Sequence, residues 1–324
     1  MEKPLIMSDS SGLYVVVLAG GISHERDVSL RSGRRVADAL ATAGHRVELR
    51  DPDAGLLPFL AERRPDVVFP ALHGSSGEDG SLLELLAALG VPTVGSSGAA
   101  ARRAWSKPVA SSIVAGAGIA VPDSIVLSHE AFRELGAASV LRVVRQALEG
   151  DLVVKPASGG SAQGVTIVDD PTELPRAMVD AFTYAEVAVV ERRIFGTELA
   201  IAIVDAGDGP RALTAVEIEP TAGVYSFQAR YNAGETTFYA PCRLDEPAVQ
   251  VVTDAAVLAH QTLGLRDLSR VDFIVDNDGR PWFLEANVLP GLTETSLVPL
   301  AIEASDTNAP AVYDALVRAA VARG

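Results

Sequence analysis

Residues 268–297 read LSRVDFIVDNDGRPWFLEANVLPGLTETSL. Two apolar, strand-like runs flank Asp278-Gly279, and Asp-Gly in that setting is the strongest short-range signal for a two-residue hairpin. Such a turn pairs Asn277 with Arg280. Counting back from it puts Asp272 opposite Glu285 and Arg270 opposite Asn287. Because side chains alternate faces with a period of two, these four residues share one face. Like charges directly opposite each other destabilise a sheet, so the two carboxylates need a reason. A hard cation supplies one, since Mg²⁺ takes oxygen ligands from a few carboxylates and from a phosphate-bearing substrate. The alternative is a solvated polar face.

The chain has 324 residues, 48% hydrophobic and 21% charged, enough for two or three domains with buried cores. A formal net charge of −15 argues against a non-specific nucleic-acid or anionic-membrane surface, which needs a positive field. An anionic ligand must therefore be held by locally placed Lys, Arg and backbone amides. The single Cys242 excludes an internal disulfide and a multi-cysteine metal site, which suits a reducing cytoplasm. The start, MEKPLIMSDSSG, lacks signal-peptide organisation, and no run of about 18 uncharged apolar residues occurs. The expectation is a cytoplasmic protein with a loose tail over residues 1–12.

Residues 13–19 (LYVVVLA) form a continuous apolar run into Gly20-Gly21, as a buried parallel strand does. A helix is expected over 25–43, with Gly44 at its C-cap, then strands over 45–49 and 66–72 with a helix over 56–64 between them. Strand and helix in alternation make a doubly wound α/β unit, whose ligands sit at the carboxyl ends of the strands. There the loops GGISHERD and HGSSGEDG emerge. A helix over 81–89, a short strand over 91–95 and one long helix over 98–116 follow.

Composition shifts between about residues 106 and 121. In DLVVKPASGGSAQGVTIV (151–168), two strands flank a loop containing Gly159, Gly160 and Gly164. Such glycines let backbone N–H groups approach phosphate oxygens, with Lys155 as a charge beside them. A plain mobile hairpin reads equally well, and no Walker A motif is present. A helix over 172–183, strands over 187–190, 198–204 and 212–219, loops over 225–231 and 235–241, and helices over 247–263 and 310–321 complete the reading.

Seven ordered segments, AGGISHERDVSL, ALHGSSGEDG, GSSGAAARRAWSK, VVKPASGGSAQGV, VVERRIFGTEL, RVDFIVDNDG and LEANVLPGLTETSLVP, resemble the D-alanine–D-alanine ligase family of the ATP-grasp superfamily. The resemblance runs from about Val15 to Pro299. It implies an α/β chain, α+β in its C-terminal part. The N-terminal doubly wound parallel-sheet domain would span 13–106, followed by an ATP-grasp pair of antiparallel-sheet domains over 107–196 and 197–324. It further implies ATP, two Mg²⁺ ions with Mn²⁺ as a substitute, D-alanine as substrate, and a cytoplasmic homodimer that takes no part in nucleic-acid or membrane binding.

Carried over position by position, Lys107, Lys155 and Arg230 meet ATP phosphates beneath a loop containing Gly160 and Ser161. Glu191 meets the adenine and Glu198 the ribose. Asp272, Glu285 and Asn287 hold the metal. Glu25 holds the ammonium of the first D-alanine within a set that includes Ser161 and Tyr231. Arg270 and the Gly291 N–H form the oxyanion hole, Ser296 and Leu297 receive the second carboxylate, and His73 lies in the substrate loop.

The chain also departs from the pattern. Arg230-Tyr231 stands where Lys-Tyr is usual, Trp105-Ser106-Lys107 where Met-Asp-Lys is common, Val288 for a frequent Thr and Ala162 for a frequent Ser. No metal ligand is lost, and Tyr231 favours an amine nucleophile over a hydroxy acid. A ligase of the same mechanism with another amino-acid acceptor, and a silent nucleotide-binding module, remain as alternatives.

Overall fold

The structure is a computed structural model that describes residues 12–221 and 234–324. The chain opens with β1 (Tyr14–Leu18), α1 (Arg26–Thr42), β2 (Arg46–Arg50), α2 (Leu56–Arg63), β3 (Val67–Pro70), α3 (Ser75–Glu78), α4 (Ser81–Ala88) and α5 (Gly98–Trp105). The strands form a parallel sheet in the order β2-β1-β3. Val15 and Val17 face one apolar cluster while Val16 and Leu18 face another, so β1 is apolar on both sides because both sides are covered. At Gly33, α1 lies so close to the sheet that a Cβ would come within 2.2 Å of the Ala19 methyl.

The middle of the chain contains α6 (Lys107–Gly116), β4 (Ser124–Ser128), α7 (His129–Glu134), α8 (Ala137–Ala147), β5 (Leu152–Pro156), β6 (Thr166–Val168), α9 (Leu174–Phe182) and β7 (Val187–Arg192). Its antiparallel sheet runs β4-β7-β5-β6 over its own core. Then come β8 (Thr197–Val204), β9 (Arg211–Ala212), β10 (Val216–Pro220), β11 (Thr236–Tyr239), α10 (Glu246–Leu263), β12 (Leu268–Val275), β13 (Pro281–Asn287), α11 (Leu297–Glu303) and α12 (Ala309–Arg323). A second antiparallel sheet runs β11-β10-β8-β12-β13, with β9 on β8. The mixed α/β class, one parallel sheet followed by two antiparallel ones, is the one expected from sequence. No helix among the described residues is long and apolar enough to cross a membrane.

Several local expectations are corrected. The strand expected over 91–95 is reduced to one bridge between Val68 and Thr93, because Pro92 has no N–H to extend a ladder and Gly95 (φ 109°) turns the chain away. The long helix over 98–116 is two, α5 and α6. Ser106 is extended between them, and Pro108 removes an N–H and would press its ring on the Ala104 carbonyl if the helix continued. The strand over 212–219 is broken into β9 and β10, and the loop over 235–241 contains the edge strand β11. Two helices, α7 and α8, occupy a stretch for which the sequence offered no assignment.

The opening hairpin is corrected in a different way. Gly279 N–H donates to Asp276 O and Asp276 N–H to Arg280 O, so the loop has three residues and its first pair is one step out of the expected register. A bulge then places Leu284 as an extra residue between Phe283 and Glu285. Beyond it Asp272 pairs with Glu285 and Arg270 with Asn287. Two one-residue irregularities cancel, and the expected partners meet.

Candidate active site

On β12, Arg270 and Asp272 share a face with Ile274, and the β8 residues opposite them are Ala202, Ala200 and Glu198. Two alanines leave room above Arg270 and Asp272, and Glu198 joins them by register. The bulge turns Leu284 and Glu285 to the same side, and both line a cleft with Asp272 and Ile274. That cleft, about 510 Å³, lies between the two antiparallel sheets. Lys107, Lys155, Gly160, Glu191 and Glu198 also line it.

Lysines hold the charges on its walls. Lys155 on β5 is a diagonal neighbour of Glu191 on β7, and their Nζ and Oε1 are 2.7 Å apart. At the start of α6, Lys107 donates to Gly159 O at 3.0 Å and to Glu285 Oε2 at 2.5 Å. Arg270 grips Asp272 with two parallel bonds of 2.8 Å, and Asn287 Nδ2 donates to Asp272 Oδ2 at 3.3 Å. Among the described residues no group of three or more His, Cys, Asp or Glu could hold a metal ion. The donors gathered here are two carboxylates and one amide.

A smaller pocket of about 100 Å³ adjoins the cleft, and Gly160 lines both. Its walls include Glu25, His73, Ser161, Arg270, Asn287, Gly291, Ser296 and Leu297. Thus each described residue nominated from the sequence lines one of the two adjoining spaces. Arg230 and Tyr231 lie outside the described residues.

Local chemistry fixes the loops of this pocket. Gly21 N–H donates to Asp51 Oδ1, and Arg26, which pairs with Asp51 at 2.5 Å, also donates to Gly21 O, so the turn leading to Glu25 is braced. Gly74 (φ 68°) lets the Glu25 carboxylate lie where a side chain would be, 2.6 Å from an added Cβ. Ser161 Oγ donates to Glu25 Oε1, which ties the glycine-rich loop of the middle sheet to the first helix. Ser161 and Ala162 both adopt left-handed backbone (φ 53° and 55°), which costs non-glycine residues about 1 kcal/mol each. Ser296 Oγ accepts from Thr293 N–H at 3.0 Å and closes the turn after Gly291.

Glu78, Glu217 and Arg243 also line these spaces, and no local pattern in the sequence singles out any of the three. Glu78 is buried beside the pocket, where burial first and Glu25 second push its carboxyl up to about 8, against the Gly74 N–H that favours the anion. Its loop, HGSSGEDG, emerges at the carboxyl ends of the strands, but no local pattern marks Glu78 as its buried carboxylate. Burial likewise lowers the basicity of His73. Glu217 and Arg243 line the cleft 2.5 Å apart. Burial alone would raise the Glu217 carboxyl, but the Arg243 hydrogen bonds outweigh it and hold it below the usual range. The pair joins β10 to the loop before α10, a distance no local pattern reports.

Comparison with known proteins gives a consistent result. Residues 113–318 match the family described as D-ala D-ala ligase C-terminus. A D-alanine–D-alanine ligase from Anaeromyxobacter sp. (strain K) is 42% identical over 299 residues, covering 90% of this chain and 92% of that protein. The crystal structure of D-alanine–D-alanine ligase from Bacillus anthracis complexed with ATP superposes with a TM-score of 0.80 at 25% identity, covering 96% of this chain and 98% of that one. The VanG D-Ala:D-Ser ligase from Enterococcus faecalis gives 0.81 at 26%, covering 96% and 100%.

Proposed function

The chain belongs to the D-alanine–D-alanine ligase family, and from that premise we propose how its residues carry out the ATP-dependent joining of two D-alanines for peptidoglycan synthesis. The reading rests on one observation above all. Asp272 and Glu285 face each other on the floor of a cleft between two antiparallel sheets, with Lys107 and Lys155 on its walls.

ATP occupies that cleft, its adenine toward Glu191, its ribose at Glu198 and its phosphates at Lys107, Lys155 and the backbone around Gly160. Asp272, Glu285 and Asn287 form an all-oxygen donor set, which fits Mg²⁺ once phosphate oxygens and water complete the shell. When bound, the metal neutralises phosphate charge and aligns the phosphates for transfer. The first D-alanine lies in the adjoining pocket with its ammonium on Glu25. Its carboxylate takes the γ-phosphoryl group, the bond from the γ-phosphorus to the β–γ bridging oxygen breaks, and an acyl phosphate and ADP result, a meeting of two anions that the lysines make feasible.

The amine of the second D-alanine, whose carboxylate is received at Ser296 and Leu297, then attacks the acyl carbon. Arg270 and the Gly291 N–H stabilise the oxyanion that develops, and phosphate leaves. Ser161, held by Glu25, keeps water from the acyl phosphate, and by family resemblance Tyr231 and Arg230 serve the same end. His73 supports the pocket. The proposed division is into three domains over 13–106, 107–196 and 197–324, a reading supported by one sheet falling within each range, and the enzyme works as a cytoplasmic homodimer, an oligomeric state that light scattering of the purified chain would test.

Phosphate release from ATP tests the assignment, measured with D-alanine, D-serine, other D- and L-amino acids and D-lactate. D-serine is included because one superposing structure is named a D-Ala:D-Ser ligase. Release with D-alanine alone, yielding the dipeptide, is expected. Preference for another acceptor would overturn the substrate, and no release with any of them would overturn the function.

A further inference from the structure

Pro290 and Gly291 are fastened on both sides to the N-terminal part of the molecule through a pair of buried side chains. His73 Nδ1 lies 3.0 Å from Leu289 O, and His73 Nε2 lies 2.9 Å from Ser32 Oγ. Ser32 Oγ in turn accepts from Leu292 N–H at 3.1 Å. Both side chains are sequestered, with Ser32 at 0% and His73 at 4% exposure.

With the ring neutral, as its burial favours, the chemistry of these partners fixes the protons. A carbonyl oxygen only accepts, so Nδ1 carries the hydrogen that His73 gives to Leu289 O. Nε2 is then an acceptor, and the Ser32 hydroxyl donates to it while its lone pair receives the Leu292 N–H. The ring is neutral, in keeping with the burial that lowers its basicity against the opposing influence of Glu25. Both ring nitrogens are spent on this arrangement, and the His73 carbonyl is itself held by Ser23 Oγ at 2.8 Å.

We propose that Ser32 and His73 are positioning residues that hold the Gly291 N–H in register with Arg270. Three observations converge on this role. The bonds grip the residues immediately before and after the Pro290-Gly291 pair, not a distant part of the loop. They originate on α1 and on the loop after β3, whereas Arg270 stands on β12, so the relay sets the distance between two oxyanion donors carried by different elements. Ser32 lies two turns along α1 from Glu25, and the same helix therefore positions both the amino-acid anchor and the oxyanion loop. The inference depends on the proposed oxyanion role of Gly291. Oxyanion donors act through geometry, and a displacement of about 1 Å costs on the order of a hundredfold in rate.

Two measurements test the relay. The first is imidazole ¹⁵N NMR of the full-length protein labelled in histidine, with His73→Asn identifying the signal. His73 is expected as the Nδ1–H tautomer; an Nε2–H tautomer would overturn the relay, and this readout is independent of any activity. The second is kinetics with ATP and D-alanine. Ser32→Ala is expected to lower kcat about tenfold to a hundredfold with KM for ATP unchanged, and Ser32→Thr, which keeps the hydroxyl, to recover most of it. Wild-type kcat in Ser32→Ala, a parallel rise in KM for ATP, or equal loss in the Thr variant with circular dichroism showing all proteins folded, would sink the positioning role. A wild-type protein that makes no dipeptide would instead refute the functional reading, leaving the tautomer result to stand alone.

Discussion

Lys107 and Glu285, 178 residues apart in the chain, meet with 2.5 Å between Nζ and Oε2. The contact joins the start of α6 to the strand β13 across the bulge at Leu284, and it puts a cation against one of the two carboxylates on the cleft floor. Arg270 does the same for Asp272. If Glu285 is a metal ligand, Glu285→Gln keeps the shape, loses the charge and raises the Mg²⁺ concentration needed for half-maximal turnover about tenfold or more. A Mg²⁺ titration at fixed ATP reads this directly, and an unchanged midpoint would remove Glu285 from the metal set.

Arg270→Ala is expected to cut kcat by a factor on the order of 10²–10³, the effect of deleting one oxyanion donor, while ATP affinity changes much less. Arg270→Lys should restore little, because the fork that makes two 2.8 Å bonds to Asp272 becomes a single point of charge. Steady-state kinetics with ATP and D-alanine varied separately distinguishes the outcomes. Equal losses in turnover and in ATP binding would contradict the assignment.

Asp267 is 2% exposed, adopts φ 61°, and accepts from Gly95 N–H at 2.6 Å and from both terminal nitrogens of Arg323 at 2.6 and 2.8 Å. It fastens the end of the chain and the N-terminal part to the start of β12. Asp267→Ala leaves a half-buried arginine and a buried N–H without their acceptor, and should destabilise the fold by about 3 kcal/mol. Asp267→Asn, which tolerates left-handed backbone, should lose less. Urea midpoints would decide, and a double-mutant cycle with Arg323→Ala should show strong coupling.

His260 is buried in α10, where Nδ1 bonds Ser269 Oγ at 2.7 Å and Nε2 has no partner among the described residues. Burial lowers its pKa from 6.5 to about 4, against the pull of Asp205 and Asp267. The unfolded chain therefore binds a proton that the folded one refuses between those values. Stability from this group is present above about pH 6.5 and is lost as pH falls toward about 4, by about 3 kcal/mol in all. His260→Gln should flatten the profile of urea stability between about pH 7 and pH 5, and identical slopes would refute the claim.

The sequence was most legible where function and local geometry coincide. Asp272, Glu285, Arg270 and Asn287 could be paired because strands alternate with a period of two, although a three-residue turn and a compensating bulge at Leu284 lay hidden in the path. The apolar run into Gly20-Gly21 announced β1 and its turn because a strand covered on both faces is apolar throughout. At Pro108 the missing N–H outweighs the long alanine-rich pattern around it, and the helix restarts there.

By itself, then, the sequence determined many of the elements, the shared face of the β12–β13 hairpin and the residues that line the cleft, because those follow from periodicity, turn chemistry and ordered motifs. Only the tertiary structure decided that Lys107 answers Glu285, that Asp267 is held by Arg323, and that His73 spends both nitrogens on Ser32 and the Leu289 carbonyl. Those partners are set by how separate layers pack, and in a chain with 27 Lys and Arg no local pattern says which cation or hydroxyl will arrive at a given buried acceptor.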